Sequence, residues 1–201
     1  MTSKTTLPQL YLITPEPAYD RSRADFLAQL EASLRRGIRL VQFRAKTISP
    51  DAYRTLAAEV LACCRQYDAL LLLNADPRLL DAIDADGVHL DGARLAACNA
   101  KPPVSDGSKL VSAACHSPEQ LRQAEAIAAD FVTLSPVFPT GSHPGAPTLG
   151  WDGFAALAKQ TVLPLYALGG MHEEMLTQAQ QRGAYGLAGI QAFWGGEANQ
   201  K

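Results

Sequence analysis

Short apolar runs alternate with longer amphipathic segments along the whole chain. Eight of the runs are interpreted as strands: Leu10–Thr14, Arg39–Arg44, Ala69–Asn74, Gly87–Leu90, Lys109–Ala114, Phe131–Val137, Pro164–Leu168 and Gly186–Ala192. Most of them are continuously apolar, which is typical of parallel strands covered on both faces. The pattern therefore predicts an α/β protein built on an eight-stranded parallel sheet.

The segments between the strands carry the usual signals of helix ends. Ser49 and Ser117 each precede a proline, an arrangement that predicts an N-cap followed by the first helical residue. Gly37 and Gly183 each follow an arginine and are expected to end helices in the left-handed conformation. The connection 93–108 contains two consecutive prolines and an Asp-Gly pair, so its helix is expected to be short or absent.

Chain length favours a closed barrel. Eight strand–helix units in 201 residues leave about 25 residues for each, the lower limit for a (β/α)8 TIM barrel. The alternative is an open doubly wound sheet, but no run has the character of an edge strand. We predict a single domain over residues 1–201, with a barrel core from about 8 to 194.

Composition narrows the class of protein. Hydrophobic residues make up 47% and charged residues 19%, so the chain can fill a core. A formal charge of −2 argues against a nucleic-acid partner, although it permits a small anionic ligand. No apolar run is long enough to cross a membrane, no secretory signal is recognised, and the four cysteines have no CxxC spacing. We expect a cytoplasmic protein with reduced thiols; the sequence leaves open whether it forms a homo-oligomer.

In a TIM barrel, chemistry collects at the carboxyl ends of the strands. The second strand ends with Gln42, Arg44 and Lys46 at alternate positions, so these side chains share a face that we expect to line the barrel mouth. Two cations and an amide suit phosphate or diphosphate, with Arg44 and Lys46 as the residues that would act on it. The alternative is a pair of salt-bridged cations on the rim.

Other strand ends add polar groups. Asn74 is expected to point its amide toward the mouth, whereas Asp76 before a proline is more simply a helix N-cap. His89, at the end of the fourth strand, is interpreted as structural in preference to catalytic. The loop after the sixth strand carries hydroxyls on Thr140 and Ser142 and is expected to cover or contact a phosphate; the alternative is an ordinary surface loop.

The last two strands offer backbone groups. Gly169 and Gly170 follow the seventh strand, and a short helix is expected to begin near Ile190 and Gln191 after the eighth. Backbone N–H groups at these two places form the phosphate site that recurs in such barrels.

These segments together resemble the family of thiamine phosphate synthase and its TenI relatives, the thiazole tautomerases. The resemblance runs over about 185 residues and rests on eight motifs in order: Tyr11-Leu12-Ile13-Thr14, Gln42-x-Arg44-x-Lys46, Asn74, Gly87-Val88-His89-Leu90, Cys115-His116-Ser117, Pro136-Val137-Phe138-Pro139-Thr140, Ala167-Leu168-Gly169-Gly170 and Gly183-Ala184-x-Gly186. It implies a (β/α)8 barrel in which an aminopyrimidine diphosphate loses diphosphate as its methylene carbon bonds to the nitrogen of a thiazole phosphate.

The resemblance also implies a set of binding residues. Those matched to the diphosphate are Gln42, Arg44, Lys46, Asn74, Thr140 and Ser142, and those matched to the thiazole phosphate are Gly170, Ile190 and Gln191, beside Gly169. The synthase uses Mg²⁺, so Mg²⁺ is implied as a cofactor here only if the synthase activity is retained. The implied partners are phosphorylated pyrimidine and thiazole compounds or thiamine phosphate.

This chain departs from the synthase pattern at five positions. The two aspartates that bind Mg²⁺ in the synthase are replaced by Ala75 and Arg94. His143 stands in place of a lysine of the strand 6 loop, and Ala114 and Gln191 each replace a serine. Mg²⁺ needs hard oxygen ligands, which neither alanine nor arginine offers. Asp76 or Asp91 could substitute for the missing metal ligands. Alternatively, Arg94 itself acts as the cation toward diphosphate, so that no metal is needed. Arg94 and His143 are therefore expected among the diphosphate-binding residues, and no residue is predicted as a metal ligand.

Two further resemblances bear on activity. The tautomerase pattern has a histidine where this chain has Pro136, which carries no titratable proton, so that activity is disfavoured. Segments such as Leu149-Gly150-Trp151-x-Gly153-Phe154 resemble the synthase-like domain fused to Nudix hydrolases in some bacterial proteins. The favoured hypothesis is a barrel that binds thiamine-related phosphates and has diverged from metal-dependent synthesis. The alternatives are an active synthase, which is the activity expected if the chain is an enzyme, and, behind it, a thiazole tautomerase.

Overall fold

Eight parallel strands close into a barrel in which every strand pairs with its neighbours in chain order and β1 pairs with β8. The structure is a computed structural model that describes residues 6–17, 22–102, 109–141 and 145–196. The strands are β1 (Leu10–Ile13), β2 (Leu40–Phe43), β3 (Leu70–Leu73), β4 (Gly87–Leu90), β5 (Leu110–Cys115), β6 (Phe131–Leu134), β7 (Leu165–Leu168) and β8 (Gly186–Gly189). The predicted (β/α)8 class is confirmed, and the open sheet is excluded.

Helices lie between successive strands. They are α1 (Arg23–Arg35), α2 (Pro50–Arg65), α3 (Leu79–Ile83), α4 (Gly92–Ala97), α5 (Pro118–Ala126), α6 (Gly150–Ala158) and α7 (Leu176–Gln181). Two 3₁₀ turns, Glu173–Met175 and Gln191–Phe193, follow β7 and β8. Among the described residues no helix has both the length and the apolar character needed to cross a membrane.

The helix boundaries follow the signals in the sequence. The Ser49 hydroxyl accepts a hydrogen bond from the Ala52 N–H, and the Ser117 hydroxyl accepts one from Gln120, so both serines are N-caps. Gly37 and Gly183 have φ of 105° and 94°, which a Cβ would disfavour. In the described part of the connection after β4, the helix is short, the six-residue α4, as its prolines predicted; residues 103–108 lie outside the described residues.

The core has two layers. Side chains on the outer face of the strands pack against the helices, and Phe43 illustrates this layer by contacting Phe26 and Tyr53. Inside the barrel, Tyr11, Phe131 and Tyr166 are fully buried and meet edge to face or tilted at centroid distances of 5.1–5.5 Å. This inner aromatic cluster fills the amino-terminal half of the barrel and leaves the carboxyl ends of the strands to form a cavity.

Candidate functional site

A cavity of about 1130 Å³ opens at the carboxyl ends of the strands. Nine of the residues predicted to bind a ligand line it: Gln42, Arg44, Lys46, Asn74, Thr140, Gly169, Gly170, Ile190 and Gln191. They come from β2, β3, β6, β7 and β8 or the loops that follow, and the closure of the barrel brings them together. The other predicted loop residues, Ser142 and His143, lie outside the described residues.

Arg44 is positioned by an acid that the sequence analysis did not single out. Glu16, in the loop after β1, lies 3.6 Å from the Arg44 guanidinium through its Oε2 atom. Its Oε1 atom accepts hydrogen bonds from the backbone N–H groups of Lys46 and Thr47, both at 2.7 Å. One carboxylate thus ties down the segment after β2. Lys46 itself is exposed and forms no ion pair with any residue that the structure describes.

Arg94, on the first turn of α4, reaches back over the rim. Its Nη1 atom lies 2.8 Å from Asp91 Oδ2 and 3.1 Å from Asn74 Oδ1. Asp91 is also the N-cap of α4, because its Oδ1 atom accepts the Arg94 backbone N–H at 3.0 Å. Asp91 and Asn74 line the cavity, so the Arg94 charge is held at its edge by two lining side chains.

The buried Gln42 and the half-buried Asn74 form a hydrogen-bonded pair in the cavity lining. Asn74 Nδ2 donates to Gln42 Oε1 at 3.0 Å, and Gln42 Nε2 donates to the Tyr11 hydroxyl at 2.9 Å. Burial raises the pKa of Tyr11, so its hydroxyl keeps its proton. The amide of Gln42, 1% exposed, is therefore fixed between two neighbours.

Two histidines line the cavity in different surroundings. His89 is buried, and its Nδ1 atom lies 2.8 Å from the Ser112 hydroxyl. Burial lowers the pKa of His89 to about 3; Asp91 opposes this shift, and Arg94 and Lys46 reinforce it. His116 is exposed, and its Nδ1 atom lies 2.8 Å from the Ser135 carbonyl oxygen. His89 is thus both a packed side chain, as expected, and part of the cavity wall.

The part of the cavity lining that comes from β5 and β6 contains a buried polar atom without a hydrogen-bond partner among the described residues. Thr133 is 1% exposed, and its Oγ1 atom has no hydrogen-bond partner among the described residues. Thr133 lines the cavity together with Ala114, its partner in the β5–β6 ladder. A buried hydroxyl without a partner costs free energy, and a ligand in the cavity is the group that would satisfy it.

On the opposite side, the cavity is bounded by backbone. Gly169 and Gly170 have φ of 101° and 67°, and a Cβ on Gly170 would stand 2.8 Å from Phe138 Cβ. The backbone N–H groups of Gly170, Ile190 and Gln191 have no protein acceptor among the described residues. Backbone N–H groups that lack a protein acceptor, on two loops that both line the cavity, are suited to bind a phosphate group.

The carboxylates on the rim of the cavity do not fit Mg²⁺, the metal implied by the resemblance to the synthase. Both oxygens of Asp91 are engaged by Arg94, and both oxygens of Asp76 are engaged by Arg78. The Arg78 contacts hold the pKa of Asp76 at about 2. Ala75 adds no oxygen, and no group of three acidic, histidine or cysteine residues is suited to a metal in the described part of the chain. The Oδ1 atom of Asp76 also accepts the backbone N–H of Arg78 at 3.0 Å, the type of bond expected of a helix cap, and α3 begins at Leu79.

Comparison with known proteins identifies relatives of this chain. The chain is 38% identical over 187 residues to the Aquifex aeolicus (strain VF5) protein named "Putative thiamine-phosphate synthase 2", covering 93% of this chain and 98% of that one. It is 35% identical over 189 residues to a thiamine-phosphate synthase of Methylobacillus flagellatus, covering 92% of this chain and 87% of that one.

The barrel superposes on thiamine phosphate pyrophosphorylase from Pyrococcus furiosus with a TM-score of 0.74 at 24% identity, covering 92% of this chain and 86% of that one. The model of the thiamine monophosphate synthase family, TMP-TENI, matches residues 10–193. The chain therefore belongs to the thiamine monophosphate synthase (TMP-TENI) family.

Proposed function

We propose that this barrel binds thiamine-related phosphates without a metal ion and has diverged from Mg²⁺-dependent synthesis. The observation that supports this proposal most directly is the position of Arg94. Its guanidinium, 2.8 Å from Asp91 and 3.1 Å from Asn74, supplies a fixed positive charge at the rim where synthases of this family use an aspartate and Mg²⁺. Arginine offers a planar set of N–H donors that matches phosphate oxygens.

In this proposal the cavity holds two anionic groups at opposite sides. Arg44, Lys46 and Arg94 bind the diphosphate side, together with Gln42 and Asn74 as amide donors. The N–H groups near Gly169, Gly170, Ile190 and Gln191 bind the single phosphate. Thr140 lines the cavity and would contact the ligand, and Ser142 and His143, which follow it in the sequence, are proposed to bind the diphosphate with it. The charge at the diphosphate side comes from side chains alone, so no metal is needed to neutralise it.

A thermal-shift experiment tests the proposal. Purified protein is heated with thiamine phosphate or with inorganic diphosphate, in EDTA and in excess Mg²⁺. A ligand at 100 times its Kd stabilises the folded state by about 2.7 kcal/mol, which corresponds to roughly 5–10 °C for a chain of this size. We expect the same shift in EDTA as in Mg²⁺. A shift that requires Mg²⁺ contradicts metal-free binding, and no shift with either compound contradicts the proposed ligand class.

Retained synthesis is the second candidate, and the cations support it. Arg44 and Lys46 both line the cavity, where they would stabilise the charge on departing diphosphate, and the loop carrying Thr140 would exclude water from the cationic intermediate. The test is thiamine phosphate formation from an aminopyrimidine diphosphate and thiazole phosphate. Product across a range of divalent metals supports this candidate, and the absence of product in all of them rejects it.

A further inference from the structure

Thr133 differs from the other residues that line the cavity in the state of its hydroxyl. In the part of the chain that the structure describes, two side-chain oxygens are buried without a hydrogen-bond partner, Thr133 Oγ1 and Glu59 Oε2. The Glu59 carboxylate pairs with Arg23 through its other oxygen, at 3.0 Å, and Glu59 does not line the cavity. Thr133, 1% exposed, is therefore the described lining residue whose buried hydroxyl is left without a partner.

The neighbours of Thr133 explain why its hydroxyl is unpaired. Its partners in the two adjoining ladders are Ala114 on β5 and Tyr166 on β7. Alanine has no polar side-chain atom, and the Tyr166 hydroxyl donates to the Pro8 carbonyl oxygen. Phe131, two residues earlier on the same face of β6, is apolar. A rotation of the Thr133 side chain toward the cavity thus breaks no hydrogen bond with any described residue.

Thr133 lies between the two proposed anion-binding sides. The order of the strands places β5 and β6 between β4, the last strand of the diphosphate side, and β7. Four lining residues come from β5, β6 or the position directly after each, and none carries a fixed charge: Ala114, His116, Thr133 and Ser135. On the other arc of the barrel, β1 contributes Ile13, which is apolar and 4% exposed. A ligand group between the two anion sites therefore meets uncharged, mostly polar side chains on one side and hydrocarbon on the other.

We infer that Thr133 determines ligand specificity, because its hydroxyl forms a hydrogen bond with the uncharged polar part of the ligand, such as a ring nitrogen or an amino group. This inference rests on the proposed function, which supplies the ligand class. A hydroxyl both donates and accepts, so it matches either kind of group. A ligand that covers Thr133 with hydrocarbon alone leaves the hydroxyl unpaired, and binding sites discriminate strongly against such ligands.

Calorimetric titration of Thr133→Val tests the contact. Valine has nearly the shape of threonine and favours strands, so the variant exchanges the hydroxyl for a methyl group with little other change. We expect the Kd for thiamine phosphate to rise about three- to tenfold, as for the loss of one buried hydrogen bond. The Kd for inorganic diphosphate should change by less than about twofold, because that ion has no ring to place against β6. Thr133→Ser retains the hydroxyl and should recover most of the lost affinity.

The ligand-free protein offers a second measurement, in which the sign of the change is informative. Thr133→Val removes an unpaired buried hydroxyl, so the Tm should rise by about 2–5 °C. Thr14→Val is the matched control. Thr14 is also buried, but its hydroxyl accepts the Arg44 backbone N–H at 3.0 Å, so the same substitution should lower the Tm.

An unchanged Kd for thiamine phosphate in Thr133→Val would mean that water, and not the ligand, satisfies the hydroxyl, which overturns the inference. Equal losses of affinity for thiamine phosphate and diphosphate would indicate a distorted cavity, and equal losses in the valine and serine variants would indicate a requirement for shape. Either result contradicts a hydrogen bond to the ligand. A lower Tm for Thr133→Val would show that the hydroxyl already has a partner in the protein, which contradicts the inference as well.

Failure of the proposed function is distinguishable from failure of this inference. If the unmodified protein binds neither thiamine phosphate nor diphosphate, the ligand class is wrong and the inference fails with it. If the unmodified protein binds thiamine phosphate and Thr133→Val binds it equally well, the ligand class stands and only the inference is overturned.

Discussion

The two sides of the cavity are equipped for anions by different means. The β2–β4 side uses charged side chains, Arg44, Lys46 and Arg94, two of which are held by carboxylates. The β7–β8 side uses the backbone N–H groups of Gly170, Ile190 and Gln191, and the first of these belongs to a glycine with positive φ. The β2–β4 side depends on which side chains are present. The β7–β8 side depends on whether the backbone can adopt the conformation that presents its N–H groups to the cavity. In the proposed function, a side chain on the β2–β4 side can change, as at Arg94, without altering the backbone on the β7–β8 side.

The largest effect is expected where backbone conformation is the requirement. Gly169→Ala should lower the free energy of unfolding by about 2–4 kcal/mol, because φ of 101° is unfavourable for alanine and the new Cβ would stand 3.0 Å from Pro136 Cα. Urea unfolding measures the loss. Gly92→Ala is the control from the other side, since its Cβ would meet nothing closer than 3.6 Å and alanine suits the helix α4. Comparable losses of unfolding free energy in the two variants would contradict a special requirement for backbone conformation at Gly169.

The β2–β4 side of the cavity contains one buried group, His89, whose protonation would destabilise the folded state. Since the unfolded chain binds a proton at the ordinary pKa of 6.5 and folded His89 does so only near pH 3, stability should fall as the pH drops below 6.5. The slope from this group is about 1.4 kcal/mol per pH unit, or about 2–3 kcal/mol between pH 6.5 and 4.5. Urea unfolding of His89→Gln should show this slope removed, with His172→Gln as the control for loss of an exposed imidazole. Identical slopes in His89→Gln and the unmodified protein would contradict the buried state of His89.

Arg44→Ala separates binding from folding. We expect the Kd for inorganic diphosphate to rise about 10- to 100-fold, because a charge-assisted contact is lost. The free energy of unfolding should change by less than about 1 kcal/mol, since the ion pair with Glu16 is partly exposed. Calorimetric titration and urea unfolding measure the two quantities. Arg54→Ala removes a more exposed ion pair from α2, whose residues do not line the cavity, and should leave the Kd unchanged. Equal losses of stability and affinity would make Arg44 structural.

Lys46→Ala gives the smallest effect in this series. Lys46 is exposed at the rim, so its charge is screened by salt, and the Kd for diphosphate should rise only about threefold at low ionic strength. The difference from the unmodified protein should disappear near 1 M NaCl. A difference that persists at high salt would mean that Lys46 makes a desolvated contact, which would bring it closer to Arg44 in its role.

The strands and the Gln42–Arg44–Lys46 face could be predicted because they depend on local periodicity. Apolar runs covered on both sides identified all eight strands, although several predicted ends extend past the last paired residue, as at Asn74. Because side chains alternate along an extended segment, Arg44 and Lys46 point to the same side as Gln42, which is the cavity side, and this orientation depends only on the local sequence.

The contacts that hold these side chains could not be predicted from the sequence, because they join distant segments. Glu16 meets Lys46 and Thr47 across 30 and 31 residues, and nothing near Glu16 indicates that contact. Ser112 and Thr133 were missed although a signal existed. Each is a polar residue within a buried strand and lies on its inner face, so its position in the alternation could have placed it inside the barrel.

The inner aromatic cluster determines the end of the barrel at which a ligand can enter and leave. Tyr11, Phe131 and Tyr166 are fully buried and close the barrel at its far end, while the strands' carboxyl ends remain open. A compound that binds in this cavity must therefore enter and leave at the carboxyl ends of the strands, because the three rings close the other end of the barrel.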